Sequence, residues 1–151
     1  MDDKLFEFIA DLTTSALHRE HPIFEVFRQQ WNLARKHLRE GKLELTGVGF
    51  YYYYLLPETV TKLSIEQWTL GDIGGWVNGD YVYCRLLIQG GIISIIDGCV
   101  LDEWPQVIRE YRVEPPALST EEIEKQIHSL IRKNPALAFE LEQLQRGQKP
   151  T

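Results

Sequence analysis

From Leu5 to Leu38 apolar side chains return every three or four positions. Leu5, Phe8, Ile9, Leu12 and Ala16 form one stripe, and Ile23, Phe27, Trp31, Ala34 and Leu38 form a second. That period belongs to helices buried along one side. Asp2 and Asp3 stand where a helix start favours negative charge. Pro22 suits the first turn of the second helix, Arg35, Lys36, His37 and Arg39 suit its end, and Gly41 suits its stop. The pattern predicts a helical hairpin over residues 1–41 that covers one face of a neighbouring layer.

Between residues 42 and 104 the period shortens, and β-branched and aromatic residues dominate. Asn78-Gly79, Gly90-Gly91 and Asp97-Gly98 each separate two short apolar runs. Such pairs tolerate the positive φ of two-residue hairpin turns. Three in succession leave no room for crossover helices and predict an antiparallel meander of about five strands. The strands are expected near 43–56, 64–70, 81–89, 92–96 and 99–101. Val113-Glu114-Pro115-Pro116 reads as an extended connector.

From 117 to 147 the helical period returns. Ser119 and Glu122 fit a capping box, Ile123, Ile127, Leu130 and Ile131 make the stripe, and Glu121 can support Lys125 one turn on. Asn134-Pro135 breaks the helix, Leu137, Leu141 and Leu144 resume it, and Gly147 ends it, leaving residues 148–151 as a frayed tail. The whole chain, 1–151, therefore reads as a single α+β domain: a helical hairpin, an antiparallel sheet and a C-terminal helical arm.

One strand stands out. In TGVGFYYYYLLP, residues 46–57, the alternation of a strand puts Phe50, Tyr52, Tyr54 and Leu56 on one face and Tyr51, Tyr53 and Leu55 on the other. Both faces are aromatic. One must be core, and the other is a place to look for function; the alternation alone leaves open which face the helices cover. Gly47 and Gly49 imitate a phosphate loop only in part, because no third glycine follows and no helix opens. They fit a bulge or a close backbone approach instead.

Composition narrows the choices. The net charge of −6 argues against a nucleic-acid partner and allows a basic protein partner where carboxylates cluster. No apolar run reaches the roughly 20 residues of a membrane helix, and the start has no secretory pattern, so a cytoplasmic protein without a membrane partner is expected. Cys84 and Cys99 lack metal spacing and read as free core thiols, although neighbouring strands would bring a disulfide within reach. His18 and His21 are three apart, but Pro22 and the absence of a third ligand make them a solvated turn, with no metal expected. Neither a nucleophile elbow nor a cofactor motif occurs, and no cofactor is expected. Among the carboxylates, Asp80 and Asp97 have turn explanations, whereas Asp72, Asp102 and Glu103 do not.

The segments LTGVGFYYYYL, LGDIGGWVNG and GGIISIIDGCVLDEWP resemble a group of small uncharacterised bacterial α+β proteins with a GVGF-aromatic strand and an Asp-Gly element followed by Trp-Pro. That group is similar to the immunity-like proteins found around bacterial toxin systems. The resemblance spans residues 45 to 105 and rests on Gly47, Gly49, Phe50, Asp72, Gly98, Trp104 and Pro105 as structural positions. It implies a fold and a protein partner, and it attaches no catalytic role to any residue.

The leading expectation is a non-enzymatic, immunity-like binding module acting through Tyr51, Tyr53, Trp76 and Tyr81 and the acidic residues Asp72, Asp102 and Glu103. The alternative is a small-molecule-binding domain or hydrolase-type enzyme, with an aromatic-lined pocket and Asp72 or Asp102 as general base. A homodimer through an exposed sheet face or edge is also compatible with the pattern.

Overall fold

The computed structural model describes residues 3–147; Asp2, with its helix-start charge, and the tail at 148–151 lie outside the described residues. Helices α1 (Asp3–Leu17) and α2 (Ile23–Ala34) form the expected hairpin, and a short 3₁₀ stretch (Arg35–Glu40) leads into the sheet. Strands come next at β1 (Lys42–Leu45), β2 (Gly49–Tyr53), β3 (Gln67–Val77), β4 (Asp80–Gln89), β5 (Ile92–Cys99) and β6 (Tyr111–Val113). Helices α3 (Thr120–Lys133) and α4 (Ala136–Gln145) close the chain. The α3 start is capped as expected, with Ser119 Oγ accepting from the Glu122 amide at 3.1 Å.

All six strands belong to one antiparallel sheet in the order β1-β2-β5-β4-β3-β6. The turns at Asn78-Gly79 and Gly90-Gly91 form with positive φ at all four residues. Asp97-Gly98 does not turn. It lies inside β5, which runs unbroken through both of the short strands expected there. Gly98 is required for packing: a Cβ there would sit 2.6 Å from the Phe50 ring. The long aromatic strand is also divided, because Gly47 (φ 85°) makes the β1–β2 turn and Thr46 N donates to Gly49 O. The connector before α3 supplies a sixth strand, β6, on the outer edge of β3.

The core lies between the sheet and α1 and α2. Phe50 and Tyr52 are fully buried beneath the helices, with Tyr52 edge-on to Phe6 and its hydroxyl donating to the Leu38 carbonyl at 2.5 Å. Thr13 Oγ1 donates to the Ile9 carbonyl, so at 2.6 Å the Tyr54 hydroxyl is left to donate to Thr13. Gln30 is fully buried and uses both ends of its amide. Its Nε2 donates to the Thr61 and Gly91 carbonyls, and its Oε1 accepts from Ile93 N, all within 2.9 Å. This fastens α2 to the start of β5. Trp68 meets both Phe24 and Phe27 and donates from Nε1 to Gln126, which ties α3 to the same side of β3.

The register of β2 against β5 depends on a close backbone approach: a Cβ on Gly49 would lie 1.8 Å from the Gly98 carbonyl oxygen. Around Gly47 there is open space, so only its positive φ opposes a side chain. Gly49→Ala should therefore cost about 3 kcal/mol of stability through overpacking, against about 1 kcal/mol for Gly47→Ala. Urea unfolding of the two variants tests this, and equal losses would contradict the assigned register.

Candidate functional site

The helices cover the Phe50/Tyr52 face, so the alternation along β2 sends Tyr51 and Tyr53 to the other. Cross-strand register then builds that open face row by row. Glu44, Tyr51, Asp97 and Arg85 stand in one row, and Gly49, Cys99, Tyr83 and Gly74 in the next. Tyr81, Trp76 and Arg112 lie beyond them on the β4, β3 and β6 side. Tyr51 is 38% exposed and Tyr83 is 50% exposed, while Tyr52 is wholly buried.

Aromatic edges organise this surface. Trp76 and Tyr81 meet at 5.2 Å between centroids, and Tyr81 and Tyr83 at 4.7 Å, both near perpendicular. The Arg112 guanidinium lies 4.0 Å over the Trp76 ring, a cation–π contact. Gly74 leaves room for Tyr81, whose hydroxyl lies 2.7 Å from where a Cβ would be, and that hydroxyl donates to Glu114. Burial and then the Glu114 carboxylate push the Tyr81 phenol well above its ordinary value, so it stays a neutral donor.

At the centre Arg85 grips Asp97 with Nε at 3.3 Å and a terminal nitrogen at 2.7 Å. The Asp97 carboxylate is nearly covered, whereas the Arg85 side chain is more than half exposed. A depression of about 370 Å³ lies over this pair, between Tyr51, Tyr83 and Cys99. It opens to solvent with fixed charge at its floor and phenol rings at its sides. At the far corner Lys42 bonds Glu44 at 2.9 Å beside Tyr53; that hydrogen bond raises the ammonium pKa.

Four of the expected residues, Tyr51, Tyr53, Trp76 and Tyr81, are thus brought onto one surface. The acidic three are not gathered with them. Asp72 sits in the β3 bulge at φ 53°, where Asp tolerates the left-handed region, and Asp102 and Glu103 lie in the exposed loop beyond β5. Tyr83 and Arg85 share the face with Tyr81 through their i+2 and i+4 spacing on β4, a signal the sequence carried. Asp97 was hidden by its glycine neighbour, which made a strand residue look like a turn.

Among the described residues no group of three or more His, Cys, Asp or Glu is placed to hold a metal ion. His21 Nδ1 accepts from Ile23 N at 3.1 Å, and burial lowers its pKa against the opposing effect of Glu124. Cys84 and Cys99 are on adjacent strands in neighbouring rows, so they point to opposite faces and remain free thiols. Cys84 is buried as expected, but Cys99 is exposed on the open face and is no core thiol. No described helix is long and apolar enough to cross a membrane. Compared with known proteins, the chain matches no family model, no curated protein and no solved structure.

The two faces of β2 should separate in stability. Tyr52→Ala should lose about 3–5 kcal/mol by emptying a core site, whereas Tyr51→Ala and Tyr83→Ala should each stay within about 1 kcal/mol of wild type. Equal losses at Tyr51 and Tyr52 in thermal or urea unfolding would place both faces in the core.

Proposed function

We propose that this chain is a non-enzymatic protein-binding module that takes its partner on the open face of the sheet. The reading is carried by one observation: Tyr51 and Tyr83 flank the Arg85–Asp97 pair, and Tyr81 and Trp76 extend the aromatic surface beyond it, on a face that packs against none of the described helices. Tyrosine, tryptophan and arginine are the residues that dominate binding hot spots, because they bring large area and a polar tip at low entropic cost. The Trp76, Tyr81 and Tyr83 rings are already held edge to edge, and the central ion pair is already formed, so little ordering of these groups remains to be done on association.

The depression over Arg85 and Asp97 opens to solvent between exposed tyrosine rings, which suits a protuberance of a protein. The hydrolase alternative needs a carboxylate beside a closed pocket; Asp72 and Asp102 lie on separate elements, the bulge of β3 and the loop after β5.

The narrower form of the proposal is an immunity-like role, in which the partner is a toxin that this chain neutralises. The sequence resemblance supports it, and the net charge of −6 together with exposed Asp102 and Glu103 favours a basic partner. The test is affinity capture from cell extract with wild-type chain and the Tyr51→Ala/Tyr83→Ala variant side by side. A protein retained by the wild type and weakened about tenfold or more by the variant is the expected result. Capture of the same proteins by both chains would rule out the open face as the binding surface. Light scattering on the same two chains checks self-association; a dimer that dissociates in the variant would make the partner a second copy.

A further inference from the structure

We infer that β3 also accepts an added strand: the cleft between its free edge and α3 is a docking site for an extended, uncharged peptide segment of a protein partner. The outer edge of β3 is occupied along only part of its length. β6 pairs with residues 75–77, and the connector keeps to the same lane as far as Ala117, whose amide donates to the Asp72 carbonyl. The chain then leaves the edge to begin α3 at Thr120.

Below Asp72 the edge is bare. The Gly90 amide donates to Glu66 O, which fixes Glu66, Trp68 and Leu70 as the residues that bond toward β4. In an antiparallel ladder the intervening residues, Gln67 and Thr69, aim their N–H and C=O the other way. No group among the described residues pairs with those backbone atoms, and both residues are exposed. A row of unpaired edge groups is a template for another strand.

The opposite wall is already built. Gln126, Ser129 and Lys133 follow one another at helical spacing on the side of α3 that faces this edge, leaving a cleft of about 570 Å³. Two contacts hold the wall in place: Trp68 Nε1 donates to Gln126 at 2.9 Å, and Glu66 N donates to the Asn134 side chain at 3.3 Å. Among the described residues Glu66 and Lys133 are the only charged side chains lining the cleft, and their charges are opposite. It therefore selects for backbone hydrogen bonding and for small or β-branched neutral side chains over charge. The bare stretch from Gln67 to Gly71 is far short of the roughly 20–30 residues a side of a stable interface between two folded chains, so it suits a short extended segment rather than a second copy.

The peptide continues the lane of β6, antiparallel to β3, with its N-terminal end beside Ala117. This site is separate from the open-face reading, and the two can fail independently. The test selects binders from a display library of short unstructured peptides against the full-length chain, then maps the synthesised winner by amide exchange and backbone NMR. In the free protein the Gln67 and Thr69 amides should exchange fast and those of Trp68 and Leu70 slowly; peptide should protect Gln67 and Thr69. Ser129→Trp, which fills the cleft from the helix side, and Thr69→Pro, which removes an edge donor not used by β4, should each weaken binding by about tenfold or more. Tyr83→Ala should leave it within about twofold. Selection of no peptide would overturn the inference. So would a peptide that shifts Tyr51 and Tyr83 instead, or edge amides already protected in the free chain.

Discussion

Phe50 and Tyr52 are seated beneath the helical layer, and most of the architecture follows from holding them there. Tyr52 fills the space beside Phe6 and reaches the Leu38 carbonyl, and Phe50 lies against Trp104 and the bare Cα of Gly98. A strand alternates strictly, so a slip of one residue would exchange the two faces of β2. The Gly49–Gly98 contact blocks that slip by letting two backbones approach where no side chain fits. Once β2 is fixed, β5 and β4 fall into register, and Tyr51, Asp97, Arg85, Tyr83 and Tyr81 must all emerge on the side away from α1 and α2.

An uncovered sheet face in an antiparallel fold is ordinarily polar. This one mixes phenols and an indole with charged groups that already have partners within the face: Arg85 on Asp97, Lys42 on Glu44 and Arg112 over the Trp76 ring. Arg85 with Asp97, Lys42 with Glu44, and Tyr81 with Glu114 leave the rings as the groups with most to gain from being covered. That balance is the physical basis for reading the face as a binding surface.

Much of the fold was legible because it rests on local rules. The helical stripes, the Ser119 cap, and the Asn78-Gly79 and Gly90-Gly91 turns are each written in a few adjacent residues. The division of the tyrosine run into two faces was legible for the same reason. What could not be read depends on distant neighbours. Gly98 looks like a turn glycine until Phe50 is known to lie across it, and with that error Asp97 lost its place beside Arg85. Gln30 sits on an ordinary amphipathic helix, and nothing nearby in sequence announces that its amide bridges Thr61, Gly91 and Ile93. β6 was equally hidden, since a three-residue strand among prolines has no period of its own.

The proposed binding surface stands or falls with the division of the tyrosine run into a sealed core side and an open side. Photochemically induced nuclear polarisation by a soluble flavin dye reads ring accessibility residue by residue, and it applies directly to the free chain. Strong signals are expected from Tyr51 and Tyr83, silence from Tyr52, and loss of the Tyr51 and Tyr83 signals when the partner binds. Polarisation of Tyr52 in the folded chain, or silence of Tyr51 and Tyr83 in the free monomer, would contradict that division.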